Sequence, residues 1–135
     1  MIKKSKLVAV LFTFLLTLSL AGCGDAQTLE SYVNDNKAVQ EEIQKSAISN
    51  SSYELQIDIK ENTLIYNFKY KTVLDEELAK QASDTFKAND GTLDATMKNV
   101  AKQLEEETEI EGITVKVVYL NGDGKELYTG TYDSK

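Results

Sequence analysis

The 135-residue sequence contains no histidine, proline, tryptophan or arginine, and only one cysteine. Without histidine there is no imidazole base near neutral pH, no Ser/His or Cys/His nucleophile pair, and no imidazole metal ligand. One cysteine excludes an internal disulfide and a CxxC zinc site. All fifteen basic residues are lysines, so bidentate guanidinium recognition of phosphate or carboxylate is excluded as well. The signatures GxSxG, SxxK and HExxH do not occur. These absences point away from an enzyme, and no cofactor or metal is expected.

What the sequence does have begins with a leader. Lys3, Lys4 and Lys6 precede "LVAVLFTFLLTLSLAG", residues 7–22, a run of apolar and small residues without a charge. A transmembrane helix needs about 20 predominantly apolar residues, and this run is shorter and interrupted by Thr and Ser. The basic start and short apolar stretch read as a secretory signal over residues 1–22. Removing it leaves twelve lysines against 22 carboxylates, a net charge of −10. Such a balance opposes nucleic acid, whose binding rests on cations at phosphates, and opposes docking on anionic lipid.

The cysteine stands where the apolar run stops. "LAGC", Leu20 to Cys23, is an aliphatic residue, two small residues and a cysteine directly after the apolar stretch. An ordinary signal cut at Ala21 or Gly22 would leave Cys23 as a free thiol in a secreted chain, which is a liability. The segment resembles the lipobox of bacterial lipoproteins. That resemblance implies Leu20, Ala21 and Gly22 as recognition positions and Cys23 as the lipidated first residue, anchored by acyl chains on the extracytoplasmic face of the cell membrane. Residues 23–28 form a short tether that extends about 20 Å at most, which keeps the domain near the bilayer.

Residues 29–133 read as one domain. Thr28 suits an N-cap for "LESYVNDNKAVQEEIQKSA", with "NDN" dividing a short helical turn from a helix over residues 37–47. "SNSS" at 49–52 is a turn. "YELQIDIK" and "LIYNFKYK" then alternate strictly, placing Tyr53, Leu55, Ile57, Ile59 and Leu64, Tyr66, Phe68, Tyr70 on inner faces. From Asp75 to about Glu107 apolar residues recur at helical spacing. The seven-residue step from Phe86 to Leu93 keeps the stripe in register, which favours one helix kinked at Gly91 over two helices divided at "NDGT". "ITVKVVYL" and the segment after "NGDG" supply two more strands. The expected fold is α+β, in the order α-β-β-α-β-β, with a four-stranded antiparallel sheet covered by helices on one face.

The turn at 121–125 sets the last strand's faces. A three-residue "GDG" loop with Gly124 in the left-handed position makes Tyr119 face Leu127 and turns Thr129 and Thr131 inward; a two-residue Asn-Gly loop reverses this. In the first register the open sheet face displays Ile65, Lys69, Lys71, Lys116, Val118, Leu120, Tyr128 and Tyr132. Tyrosines beside cations suit stacking on a sugar or a protein contact, although strand propensity alone also selects such residues. The acidic run "EEETE" at 105–109 reads as a solvated face. Neither "NGDG" nor "NDGTLD" has the alternating ligands of a calcium loop.

The lipobox leader, "TLESYV", "KENTLIYNFKY" and "VVYLNGDGKELYTGTY" together resemble a group of small lipoproteins of Gram-positive bacteria, grouped as a domain of unknown function. The resemblance implies a cell-surface lipoprotein and transfers no functional residue beyond Cys23. The expected function is therefore a membrane-anchored, non-catalytic binding or accessory domain with a protein or glycan partner. The contrasting readings are a small carboxylate- or metal-dependent hydrolase and a structural or inhibitory interaction module.

Overall fold

Thr28 caps the first helix reciprocally: its Oγ1 accepts from the Ser31 amide at 3.1 Å, and its own amide donates to Ser31 Oγ at 3.1 Å. A computed structural model describes residues 27–49 and 51–135. The leader, Leu20, Ala21, Gly22, Cys23 and most of the tether lie outside the described residues. Among the described residues no helix is long and apolar enough to cross a membrane.

The chain runs α1 (Leu29–Asn34), α2 (Lys37–Ser46), a two-residue strand β1 (Ile48–Ser49), β2 (Tyr53–Lys60), β3 (Thr63–Tyr70), α3 (Glu76–Ala88), α4 (Asp90–Thr108), β4 (Thr114–Leu120) and β5 (Glu126–Asp133). The class is α+β, as expected. The short β1 pairs with Leu55 and Glu54 of β2 and takes in Ser49, the first residue of the expected turn.

The sheet is mixed, which corrects the expectation of a wholly antiparallel one. Its order follows the chain, β1-β2-β3-β4-β5, and β3 pairs with β4 in parallel, Thr63 opposite Thr114 through Lys69 opposite Leu120. Both hairpins are antiparallel. Residues 71–113 carry the chain from the end of β3 back to the end where β3 began, and a long helical connection of this kind delivers parallel strands.

The alternation in β2, β3 and β4 puts one side of the sheet in the core. Leu55, Leu64, Tyr66, Val115, Val117 and Tyr132 pack with Leu29 and Val33 of α1, Val39 of α2, and Val100, Ala101 and Leu104 of α4. Ile113, just before β4, is also fully buried in this cluster. Tyr66 is buried so completely that its phenol is pushed well above its usual pKa.

Residues 75–107 form two helices, not the single kinked one. The break falls at Asn89, which closes α3 and opens α4 with φ −98° and ψ 4°. Its Nδ2 donates to the Thr85 carbonyl at 2.7 Å and ends α3 locally. Asp75 caps the other end of α3, its Oδ1 accepting from the Leu78 amide at 2.9 Å.

Candidate functional site

The last hairpin decides which side chains meet. The turn forms as the sequence suggests: the Gly124 amide donates to the Asn121 carbonyl at 2.9 Å, the Asn121 amide donates to the Lys125 carbonyl at 2.8 Å, and Gly124 has φ +89°. One step further a β-bulge intervenes. Leu120 lies opposite Glu126 and Tyr119 opposite Tyr128, so Leu127 is the extra residue on β5. The bulge reverses the side-chain parity that the turn alone would give. Tyr128, Gly130 and Tyr132 therefore share the helix-covered face with Val115, Val117 and Tyr119, and the expected inward placement of Thr129 and Thr131 is corrected.

Three polar groups converge where α4 meets β5, and the Tyr132 phenol among them lies over Gly130. The Tyr128 phenol donates to Asp90 Oδ1, the Tyr132 phenol donates to the same oxygen at 2.7 Å, and the two phenol oxygens lie 3.1 Å apart. Asp90 is the first residue of α4, so the cluster ties that helix to β5. Hydrogen bonds from Tyr128 and then Tyr132 hold the Asp90 carboxyl below the usual carboxylate range. Burial, and after it the bonds to Tyr128 and Asp90, pushes the Tyr132 phenol well above its ordinary value. Burial followed by the bond to Asp90 raises Tyr128 as well. Both phenols thus act as neutral donors to a charged acceptor, an arrangement suited to fastening and not to proton transfer near neutral pH.

These shifts set a pH dependence. Asp90's contribution is complete above its unfolded pKa of about 3.9 and is lost as pH falls through the lower folded value. The raised phenols contribute below an unfolded pKa of about 10, and that contribution declines as pH rises further. Urea midpoints should therefore form a plateau between those limits. Asp90→Asn is expected to flatten part of the acid limb; an acid limb unaltered by that substitution would remove Asp90 from the account.

An aromatic row crosses the same face of the sheet. Tyr53 meets Phe68 edge-on at 5.9 Å, Phe68 stacks on Tyr119 at 4.9 Å, and Phe86 of α3 stacks on Tyr119 at 3.9 Å. Tyr128 lies tilted beside both Tyr119 and Phe86, at 6.3 and 6.1 Å. Burial, reinforced by the phenols of Tyr70, Tyr128 and Tyr53, pushes Tyr119 up to about 12. Phe68 and Phe86 both stack on Tyr119, whereas Tyr53 and Tyr128 meet the row edge-on or tilted.

The flank of α3 is apolar. Among the described residues, Val73 and Leu78, at 58% and 48% exposure, are the large hydrophobic residues left open. Between them stand the exposed carboxylates of Asp75, Glu76 and Glu77. The start of α3 is fixed by Asn121, which is 3% exposed: its Oδ1 accepts from the Leu74 amide at 2.8 Å and its Nδ2 donates to the Leu74 carbonyl at 3.0 Å.

The candidate face inferred from sequence is thus divided. Lys69 and Lys116 do lie on the side away from the core, with Ile65 opposite Lys116 and Lys69 opposite Leu120, and the exposed Lys71 follows β3. Tyr128 and Tyr132 lie on the other side of the sheet, so these five residues do not form one surface. Val118, also on the far side, is buried. In the acidic run, Glu105 accepts from Ser134 Oγ at 2.6 Å and Glu107 is raised by partial burial and then by Glu106. Among the described residues no three carboxylate or thiol groups gather as a metal site.

Asp90 and Phe86 escaped the sequence reading as partners of β5. A signal was present in "YTGTY": tyrosines at 128 and 132 share a strand face with the glycine between them, and a glycine inside a strand marks close approach by another group. Phe86 and Asp90 stand four residues apart, the spacing of neighbours within one helix, although Asn89 divides them between α3 and α4.

A mixed sheet covered on one side by two helical pairs, with a carboxylate–phenol fastening between α4 and β5, defines a small α+β module. The chain belongs to the family described as a domain of unknown function, DUF4854, whose model matches residues 29–132. No curated protein matches it. Among solved structures it is similar to a candidate secreted protein from Pseudomonas aeruginosa, at 11% identity and a TM-score of 0.47, over 80% of this chain and 96% of that one.

Proposed function

We propose that this protein is a lipid-anchored, extracytoplasmic binding domain that works without catalysis and offers the flank of α3 to a polypeptide partner. The carrying observation is the pair of open apolar residues, Val73 and Leu78, set around Asp75, Glu76 and Glu77 on an acidic chain. Apolar contact supplies the affinity, and the carboxylates favour a partner segment that is basic as well as apolar. The arginine-free, acidic composition weighs against phosphate-rich partners.

The fold supports this division of labour. The Glu30 amide donates to the Glu61 carbonyl at 2.8 Å, the Glu61 amide donates to Glu30 Oε2 at 2.7 Å, and the Leu29 amide donates to Asn62 Oδ1 at 3.0 Å. The chain therefore enters the domain at the β2–β3 turn. Asn121 and the start of α3 lie at the other end of the strands, about 25 Å away at ~3.3 Å per residue. An acyl group on Cys23 would hold one pole and leave the other turned outward.

Two measurements test the two halves. Cys23→Ala should move the protein out of the membrane fraction or leave the leader uncut, and unchanged membrane association would defeat the anchor. A photo-crosslinker at position 78 should give one defined protein adduct that Val73→Asp abolishes, whereas a crosslinker at Lys102 on α4 should not. Identical adducts from both positions would rule out the α3 flank.

A further inference from the structure

We infer that α3 is a strap, fixed at both ends and loosely seated between them, which opens independently of the domain and uncovers the Phe68–Tyr119–Tyr128 row. None of its thirteen residues is buried, whereas α1, α2 and α4 each bury at least one apolar side chain in the core. The half-buried positions Ala79, Ala82, Ser83 and Phe86 recur at helical spacing and mark its inner side. Only one of them is large, so α3 is seated chiefly by the stacking of Phe86 on Tyr119 at 3.9 Å. A helix of this length is marginal in water without tertiary packing. Between its two ends the only large side chain that seats it is therefore the ring of Phe86.

The two ends are secured differently. Upstream, both backbone groups of Leu74 are bonded to the Asn121 side chain. The backbone of Thr72 and Val73 also lies so close over Gly122 that a Cβ there would come within 2.7 to 2.8 Å of it. Downstream, Asp90 is bonded by Tyr128 and Tyr132. Between the fastenings the chain turns at Asn89, which gives α4 no side-chain cap. Gly91 has open space around it. The weak element is thus bounded by strong ones, the arrangement that makes a segment open sub-globally while its neighbours stay folded. Opening would carry Leu78 away with the helix and uncover the face of Tyr119 and the ring of Phe68. This inference stands whether or not the chain is lipid-anchored.

Native-state hydrogen exchange on the full chain tests it. Amides over residues 80–88 should exchange at least 100-fold faster than those of Val100, Ala101 and Leu104 in α4, while the Leu74 amide stays with the slow group. Equal protection of α3 and α4 would overturn the inference, and so would a Leu74 amide that exchanges with α3. Phe86→Ala should then speed α3 exchange a further 10-fold or more without changing α4. Acceleration of both helices together would show a single cooperative unit and overturn it as well.

Discussion

Gly130→Ala should destabilise the domain by about 3 kcal/mol, combining overpacking of about 1–3 kcal/mol with the weakening of hydrogen bonds to a charged group. A methyl at this position would come within 2.8 Å of Tyr132 Cε2 and closer still to Cζ and Oη. The ring lies back along its own strand over the glycine, and only there does its phenol reach Asp90. Tyr132 is 3% exposed, so it cannot be displaced without opening the core around Val115, its cross-strand neighbour. Urea denaturation gives the cost directly. Gly91→Ala is the matched control: nothing lies within 4 Å of a Cβ there, and alanine in the first turn of α4 should be neutral or stabilise by up to about 1 kcal/mol. A Gly130→Ala cost below about 1 kcal/mol would mean that Tyr132 moves aside freely.

Asn121→Ala is expected to cost a similar amount, about 3 kcal/mol, for a different reason. The side chain satisfies three backbone groups: the Leu74 amide, the Leu74 carbonyl, and the Gly122 amide at 2.8 Å. Each partly buried group left unpaired costs about 1–3 kcal/mol, reduced where water can enter. Asn121→Asp separates the roles, since it retains the acceptor and places a carboxylate oxygen against the Leu74 carbonyl. It should be at least as destabilising as alanine at neutral pH and recover in part as the carboxyl protonates. An aspartate variant as stable as wild type would show that the Nδ2 bond contributes nothing.

Strand faces were legible in the sequence wherever a single period governed them. The alternation in "YELQIDIK", "LIYNFKYK" and "ITVKVVYL" placed Leu55, Tyr66, Phe68, Val115 and Tyr119 on the side they occupy. Thr28 and Asp75 cap the helices they were expected to cap. What failed had non-local causes. The relation of the two hairpins depends on where the helical connection returns the chain, which no local pattern encodes. The turn at 121–125 formed as expected, yet the bulge at Leu127 reversed the faces of everything after it. The Phe86–Leu93 spacing suited one helix kinked at Gly91, but Asn89 closes α3 after Ala88, its side chain bonded to the Thr85 carbonyl, and Asp90 is bonded to β5. The candidate site was therefore half legible: the tyrosines were singled out, and their side of the sheet and their acidic partner were not.

The parallel pairing of β3 with β4 also governs when the molecule can finish folding. The β2–β3 hairpin closes locally, on the order of microseconds, and leaves one edge of β3 without a neighbour. That edge is completed only by residues 114–120, after the whole segment 71–113 has been traversed, and non-local pairing of this kind is slow. Until then the amides and carbonyls from Thr63 to Lys69 form an open template beside uncovered Leu64 and Tyr66. A chain cut short of Thr114 would thus be an aggregation-prone fragment instead of a smaller domain.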